Sequence, residues 1–182
     1  VEFSKAGSAV YVNLGAASGY EAWTSGTWSS NASNAKIAIA DIANVESVKG
    51  TSHSDTILGN GGNNSLDGSG GNDRINGGAG ADTILGGSGN DILNGGTGND
   101  LLTGGTGADT FQFNASWGTD TVQDFVVGTD KVDFVGISGL TKFADITITS
   151  TATGADISFG SNHIVLQGVA AATLTASDFL FH

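Results

Sequence analysis

The sequence predicts an all-β protein whose short strands stack into a β-solenoid. Two observations lead to this prediction: consecutive nine-residue units fill residues 50–112, and a large apolar residue occupies the eighth position of every unit. One short strand cannot bury such a side chain alone, so units of this kind must stack on their neighbours. The chain has 30 glycines and no proline, yet 38% of its residues are hydrophobic and regularly placed, which indicates folding rather than disorder.

The units follow the pattern G-G-x-G-x-D-x-U-x, in which U is a large apolar residue. Glycines at positions one, two and four allow left-handed backbone angles and leave carbonyl oxygens uncovered. Each unit is predicted to form a six-residue turn and a three-residue strand, with two units in each coil. The inward-pointing residues at position eight are Ile57, Leu66, Ile75, Ile84, Leu93, Leu102 and Phe111.

The sixth position of each unit is acidic or, once, an amide. If two units make one coil, these side chains stack in two rows with a spacing of ~4.8 Å. Two carboxylates at that distance repel each other by ~3 kcal/mol at an effective dielectric constant of ~20. Arg74 is the only basic residue in the repeats, so bound cations are needed to neutralise the rows. The side chains are Asp55, Asn64, Asp73, Asp82, Asp91, Asp100 and Asp109.

The donor set indicates calcium. Carboxylates and backbone carbonyls in flexible loops suit Ca²⁺, whereas Mg²⁺ prefers a tighter octahedron with retained waters. Zinc would need histidine or thiolate, but the chain has no cysteine and His53 is the only histidine in the repeats. The alternative is a solenoid in which the aspartates only cap turns. Several tandem copies of one metal-binding motif favour calcium.

These units resemble the calcium-binding nonapeptides of the repeats-in-toxin (RTX) family. The resemblance implies a right-handed parallel β-roll, followed by a C-terminal β cap over residues 113–182. Residues 1–49 lack the nonapeptide, and their alternating stretches at residues 9–14 and 36–42 predict strands in an irregular N-terminal β cap. The resemblance also implies roughly four to six Ca²⁺ ions between adjacent coils, held by the position-six side chains and by turn carbonyls. The site shared by Asn64 and Asp82 is expected to be weaker or empty. The implied carbonyl donors are Gly68, Gly71, Gly77, Gly78, Gly80, Gly86, Gly87, Gly89, Gly95, Gly96, Gly98, Gly104, Gly105 and Gly107.

The segment after the repeats, TDTVQDFVVGTDKVDF at residues 119–134, resembles the strand pair that follows RTX repeats. Asp120 and Asp124 either complete a last calcium site or end a strand. Phe111, Phe113 and Trp117 are predicted to close the far end of the roll. Further strands are predicted at residues 132–135, 145–149, 156–159 and 163–167.

Charge and motifs exclude several functions. A net charge of −12 argues against nucleic acid and anionic membranes as partners, since both require basic patches. The chain has no apolar run long enough to span a membrane. It contains no HExxH, GxSxG or P-loop motif, so we expect no enzyme activity, and we expect any catalytic domain upstream of Val1.

The family resemblance implies a secreted protein, extracellular or at the cell surface, that folds when it meets calcium outside the cell. The ending SDFLFH resembles the C-terminal signals that a type I secretion apparatus reads. Two functions stay open: a secretion and folding element for an upstream enzyme, or the end of an adhesin or surface-layer protein that binds glycans or its own copies. Tyr20, Trp23 and Trp28 either stack on sugars or cover the end of the solenoid core, and packing is favoured.

Overall fold

The computed structural model describes residues 10–13, 37–40 and 47–182. Within these ranges no helix is long and apolar enough to cross a membrane. Three short 3₁₀ helices span Phe143–Asp145, Ala171–Thr173 and Ala176–Asp178. The strands are β1 Val10–Asn13, β2 Ile37–Ala40, β3 Ser47–Lys49, β4 Thr56–Leu58, β5 Ser65–Asp67, β6 Arg74–Ala79, β7 Thr83–Ser88, β8 Ile92–Thr97, β9 Leu101–Thr106, β10 Thr110–Phe113, β11 Thr119–Val122, β12 Lys131–Phe134, β13 Thr147–Ser150, β14 Gly154–Phe159, β15 Asn162–Gln167 and β16 Phe179–Phe181.

The strands form two sheets, and consecutive strands of the repeats alternate between them. The described strands of one sheet run in the order β2-β1-β4-β6-β8-β10-β12-β16, and those of the other in the order β3-β5-β7-β9-β11-β15-β14-β13. Ile57 pairs with Ile75, and Ile75 with Leu93, in parallel register. Paired residues in the repeats are therefore two units apart. The predicted parallel β-roll, with two nonapeptides in each coil, is confirmed.

The core is a column of side chains between the two sheets. All seven position-eight residues are at most 1% exposed, as predicted. The column continues with Val122 and Val132, which are fully buried. Aromatic rings follow: the ring centroids of Phe113 and Trp117 lie 5.7 Å apart, and Trp117 also packs on Phe134 at 5.8 Å. The aromatic residues lie at the far end of the repeats as predicted, but the core does not end there, because it continues through buried residues of the C-terminal strands.

The strands in the middle of the roll are longer than predicted. Three-residue strands occur in β3, β4 and β5, but β6 to β9 each contain six residues. The extra residues are the glycines at positions one and two and the residue after them. Those at positions two and three also pair with the same positions one coil away. Gly78 pairs with Gly96, for example, and a Cβ on Gly96 would overlap the carbonyl oxygen of Gly78. Only glycine backbones approach this closely, so the three-residue prediction is wrong for these strands.

Both flanks agree broadly with the predicted strands. The predicted segments at residues 9–14 and 36–42 contain β1 and β2. In the C-terminal cap, β13 begins at Thr147 because a 3₁₀ helix precedes it. The carboxylate of Asp145, the last residue of that helix, accepts the backbone N–H of Thr141, just before the helix. Strands β14 and β15 form an antiparallel hairpin, and β16 is an edge strand. The segment with Tyr20, Trp23 and Trp28 lies outside the described residues.

Replacing one core leucine should cost much more stability than replacing an outward one. Leu93 is fully buried, whereas Leu85, which lies on the outer side of the neighbouring coil, is 38% exposed. We expect Leu93→Ala to lower the free energy of unfolding of the calcium-loaded chain by ~2–5 kcal/mol, because it leaves a cavity. Leu85→Ala is the matched control and should change it by less than ~1 kcal/mol. Denaturant unfolding in calcium measures both, and equal losses would contradict the assigned core.

Candidate calcium sites

The position-six side chains stack in two rows along opposite edges of the roll, as predicted, and both rows are almost completely buried. In each row, Oδ1 of one side chain accepts the backbone N–H of the position-six residue one coil earlier. Asp91 Oδ1 accepts from Asp73 at 2.7 Å, and Asp100 Oδ1 from Asp82 at 2.8 Å. One carboxylate oxygen is thereby used to hold adjacent coils together. The first row is Asp55, Asp73, Asp91, Asp109 and Asp130, and the second is Asn64, Asp82, Asp100 and Asp120.

The second carboxylate oxygen of most aspartates in the rows has no partner. Among the described residues, five Oδ2 atoms are buried and accept no hydrogen bond. A buried polar atom without a partner costs about 1–3 kcal/mol, and more when it is charged. Five such atoms in regular positions point to a ligand rather than to a chance defect. They belong to Asp73, Asp82, Asp91, Asp100 and Asp120.

Backbone carbonyls converge on these free oxygens at the position-one glycines. A Cβ added to Gly68 would overlap both Asp73 Oδ2 and the carbonyl oxygen of Gly86, one coil further along. A Cβ added to Gly77 would likewise overlap Asp82 Oδ2 and the carbonyl oxygen of Gly95. Glycine at position one therefore leaves room in which oxygens from two coils face each other.

The oxygens present fit calcium. Within the described part of the chain, no three acidic, histidine or cysteine side chains come together as a metal cluster. The position-six carboxylates would then supply only part of the oxygen ligands that Ca²⁺ takes, and the turn carbonyls are the other oxygens close by. A shell of few carboxylates and several carbonyls is one that Ca²⁺ accepts. Of the predicted carbonyl donors, those of Gly68, Gly77, Gly86, Gly95 and Gly104 lie beside the position-six side chain of the preceding coil.

Burial and mutual repulsion make the carboxylates hard to ionise without metal. Burial, with added repulsion from Asp91, Asp55 and Asp67, raises the pKa of Asp73 to about 8. Burial, with Asp100 and Asp82 nearby, raises the pKa of Asp120 to about 8. The pKa values of four further members of the rows are also raised by burial, in two cases to about 6. These two are Asp82 and Asp109, and the other two are Asp91 and Asp100.

No cation of the chain compensates these carboxylates in the described ranges. The ion pairs there join Lys49 to Asp67, His163 to Asp156, and His182 to Asp133, all outside the rows. Arg74, the one arginine or lysine of residues 50–112, is exposed and donates to Gln112 Oε1 at 3.3 Å. The carboxylates in the middle of both rows therefore have no neutralising charge among the described residues.

The turns at the ends of the rows are closed by the chain itself. Asp55 Oδ2 accepts the backbone N–H of Thr51, at position two of the same repeat, at 2.7 Å. The backbone N–H of Asn60 donates to Asn64 Oδ1 at 2.9 Å in the same way. In these first two repeats the side chain caps its own turn. Turn capping, the alternative to metal binding, thus describes the end turns but not the middle ones.

The rows extend further than the uninterrupted repeats. Stacked aspartates are 18 residues apart up to Asp109, but Asp120 lies 20 residues after Asp100 and Asp130 lies 21 after Asp109. Two short insertions, residues 113–114 and residue 124, explain the change and give an eighth repeat at 115–123 and a ninth at 125–133. Asp130 was missed in the sequence for this reason. The signal that could have found it is the shortened pattern G-T-D-x-V, which occurs twice after the repeats, ending at Val122 and Val132.

Asp120 and Asp124 have different surroundings. Asp120 is fully buried in β11 and continues the second row. The carboxylate of Asp124 instead accepts the backbone N–H groups of Gly104 and Gly105, at 2.9 and 2.7 Å. Asp124 therefore lies over the turn of the seventh repeat, outside both rows.

Asparagines at position five form a further set of contacts between coils that the sequence analysis did not identify. Asn72 Oδ1 accepts the backbone N–H of Asn90 at 2.9 Å, and Asn90 Oδ1 accepts that of Ala108 at the same distance. Asn63 and Asn99 make equivalent bonds. Unlike the five Oδ2 atoms without partners, these asparagine oxygens accept hydrogen bonds within the protein.

Comparison with known proteins agrees with this geometry. The sequence profile of the family described as RTX calcium-binding nonapeptide repeat (4 copies) matches residues 49–84, 77–111 and 85–122. No curated protein sequence matches the chain.

The solved structures that the chain resembles include a lipase and an epimerase subunit. The extracellular lipase LipA from Serratia marcescens aligns with a TM-score of 0.45 and 16% identity, over 82% of this chain and 45% of the lipase chain. The AlgE6R3 subunit of the Azotobacter vinelandii mannuronan C5-epimerase aligns with a TM-score of 0.38 and 29% identity, over 71% of this chain and 78% of the subunit. This chain thus spans less than half of the lipase. The family match over residues 49–122, together with the two rows of position-six side chains, shows that the repeat region belongs to the RTX calcium-binding nonapeptide repeat family.

Proposed function

We propose that this chain is a calcium-dependent folding module of a larger extracellular protein. The observation that carries the proposal is the set of five buried Oδ2 atoms without partners, each on a carboxylate that no cation of the described chain neutralises. When bound, Ca²⁺ supplies the missing charge and the missing contacts. Position-six carboxylates and position-one carbonyls would hold it between coils.

The free energy of calcium binding at high saturation is large enough to decide whether the chain folds. A ligand at 100 times its Kd stabilises the folded state by ~2.7 kcal/mol per site. Four sites at that saturation contribute ~11 kcal/mol, which is comparable to the ~5–15 kcal/mol that a whole domain typically has. The chain is therefore unfolded where calcium is scarce, as in a bacterial cytosol, and folded where calcium is abundant. That behaviour suits export through a narrow channel followed by folding outside.

Removing one carboxylate from the middle of a row should weaken calcium binding more than removing one elsewhere. Asp91→Asn keeps the contact between Oδ1 and the backbone N–H of Asp73 but removes the negative charge between two coils. We expect Asp91→Asn to weaken the affected sites about tenfold or more in a calorimetric calcium titration. Asp156→Asn is the matched control, because Asp156 pairs with His163 in the C-terminal cap and lies in neither row. Identical titrations of the two variants would contradict the proposal.

The parent protein and its export route are further parts of the proposal. The resemblance of the C-terminal residues to type I secretion signals supports export, and the β cap that they form supports a second role in ending the roll. An enzyme upstream of Val1 would then use this chain for secretion and stability. The alternative, an adhesin or surface-layer protein that binds glycans, depends on the aromatic residues of the segment at 18–31, which lies outside the described residues.

A further inference from the structure

We infer that the residue at position two of each repeat decides whether its turn takes calcium, and that only the turns of repeats three to eight do so. The inference deepens the proposed function and rests on it. It assigns the ions to particular coils of this chain and leaves the end turns without metal.

The backbone at position two divides the nine turns into two groups. In repeats three to eight, position two lies in the left-handed region, including at two serines. The residues are Ser69 (φ 73°), Gly78 (φ 103°), Gly87 (φ 115°), Gly96 (φ 101°), Gly105 (φ 100°) and Ser116 (φ 69°). Position two in repeats one, two and nine holds Thr51, Asn60 and Val126, and none of these is in the left-handed region. A β-branched residue strongly resists that region.

The two groups differ in what happens to the side chain at position six. Where position two is Thr51, Asn60 or Val126, its N–H points back into the turn. It donates to Asp55 Oδ2, Asn64 Oδ1 and Asp130 Oδ2 at 2.7, 2.9 and 2.8 Å. These turns are closed.

In the described turns whose position two is left-handed, the N–H of that residue does not donate to the position-six side chain; in repeat seven, Gly105 donates to Asp124 instead. We call these turns open. All five partnerless Oδ2 atoms belong to repeats of this second group: three, four, five, six and eight. A backbone N–H in a closed turn thus occupies the oxygen that a cation would otherwise bind.

A site between two coils needs an open turn on both sides. Open turns face each other along the first row at Asp73–Asp91 and Asp91–Asp109, and along the second row at Asp82–Asp100 and Asp100–Asp120. We therefore expect four ions. The gaps Asp55–Asp73, Asn64–Asp82 and Asp109–Asp130 each contain one closed turn and stay without calcium.

The first test is the number of ions that the full chain binds. Native mass spectrometry and equilibrium dialysis with Ca²⁺ should both give four per chain. Asp55→Asn should leave this number unchanged, because the first turn is closed. A count above four, or the loss of an ion in Asp55→Asn, would overturn the inference.

The second test closes one open turn. Ser69→Val places a β-branched residue where φ is 73°, so the third turn should close and the count should fall from four to three. Ser69→Gly is the matched control, keeps the turn open and should still bind four. Circular dichroism in calcium shows that each variant folds. Four ions in a folded Ser69→Val would contradict the role of position two.

The third test opens a closed turn, so the inference remains testable even if Ser69→Val does not fold. The double substitution Thr51→Gly with His53→Gly restores G-G-x-G-x-D in the first repeat, and should add a fifth ion between Asp55 and Asp73. His53→Gly alone leaves Thr51 in place and should keep four. An unchanged count in the double variant refutes the inference while leaving calcium binding intact. A chain that binds no calcium at all refutes the proposed function instead.

Discussion

Chelation of calcium with EGTA will unfold the chain. Both rows place carboxylates one coil apart, and five Oδ2 atoms within the rows are buried without a hydrogen-bond partner. Each neighbouring pair of charges repels by ~3 kcal/mol at an effective dielectric constant of ~20. The conformational entropy of the many glycines also favours the unfolded chain, since glycine loses more conformational freedom on folding than any other residue. We therefore expect the β-sheet signal in far-ultraviolet circular dichroism at neutral pH to be lost and replaced by that of a disordered chain.

Adding calcium back should restore the signal in one cooperative step. Several sites share coils, and each carboxylate in the middle of a row faces two gaps, so binding at one site orders the next. Magnesium at the same concentration is the control for charge screening and should restore little, because it keeps its waters and demands a tight octahedron. The calcium midpoint should lie between cytosolic and extracellular concentrations. A β-sheet spectrum that persists in excess EGTA would refute calcium-dependent folding.

The repeat architecture was predictable because each nonapeptide encodes its own geometry. One apolar residue in nine marks the inward side of a strand, and glycine at fixed offsets marks the turn. The pairing of Ile57 with Ile75 follows directly from this period. The same period places Asp73 beside Asp91, so the two rows could also be derived from spacing alone.

Two features depend on information that the period does not contain. The insertions at residues 113–114 and 124 break the nine-residue count, so Asp130 was not recognised as a member of the first row. The second feature is the direction of a single N–H group at position two, which separates Thr51 from Ser69 although both are small hydroxyl residues. That difference arises from φ, and a sequence pattern does not state φ for residues other than glycine and proline.

The metal-free chain will become more stable as the pH falls. Burial raises the pKa of Asp73 and of Asp120 from 3.8 to about 8, and that of Asp82 and of Asp109 to about 6. A raised pKa in the folded state means that the folded chain binds protons more tightly than the unfolded chain. The resulting stability is fully present below pH ~4 and is lost as the pH rises through about 6 and then about 8.

Circular dichroism and thermal unfolding in EGTA across this range measure the effect, and Asp120→Asn separates the row from other titrating groups. Asn already occupies the equivalent place at residue 64, where its backbone N–H still bonds to Asp82 Oδ1. With one fewer carboxylate to protonate, the metal-free variant should be more stable than the original chain at pH 8, and its stability should depend less steeply on pH.

In the presence of calcium the dependence on pH reverses. Protons compete with the metal for the same oxygens, so the calcium concentration at the folding midpoint rises as the pH falls. A metal-free chain that gains stability with rising pH would show that these carboxylates are paired by some other cation of the protein.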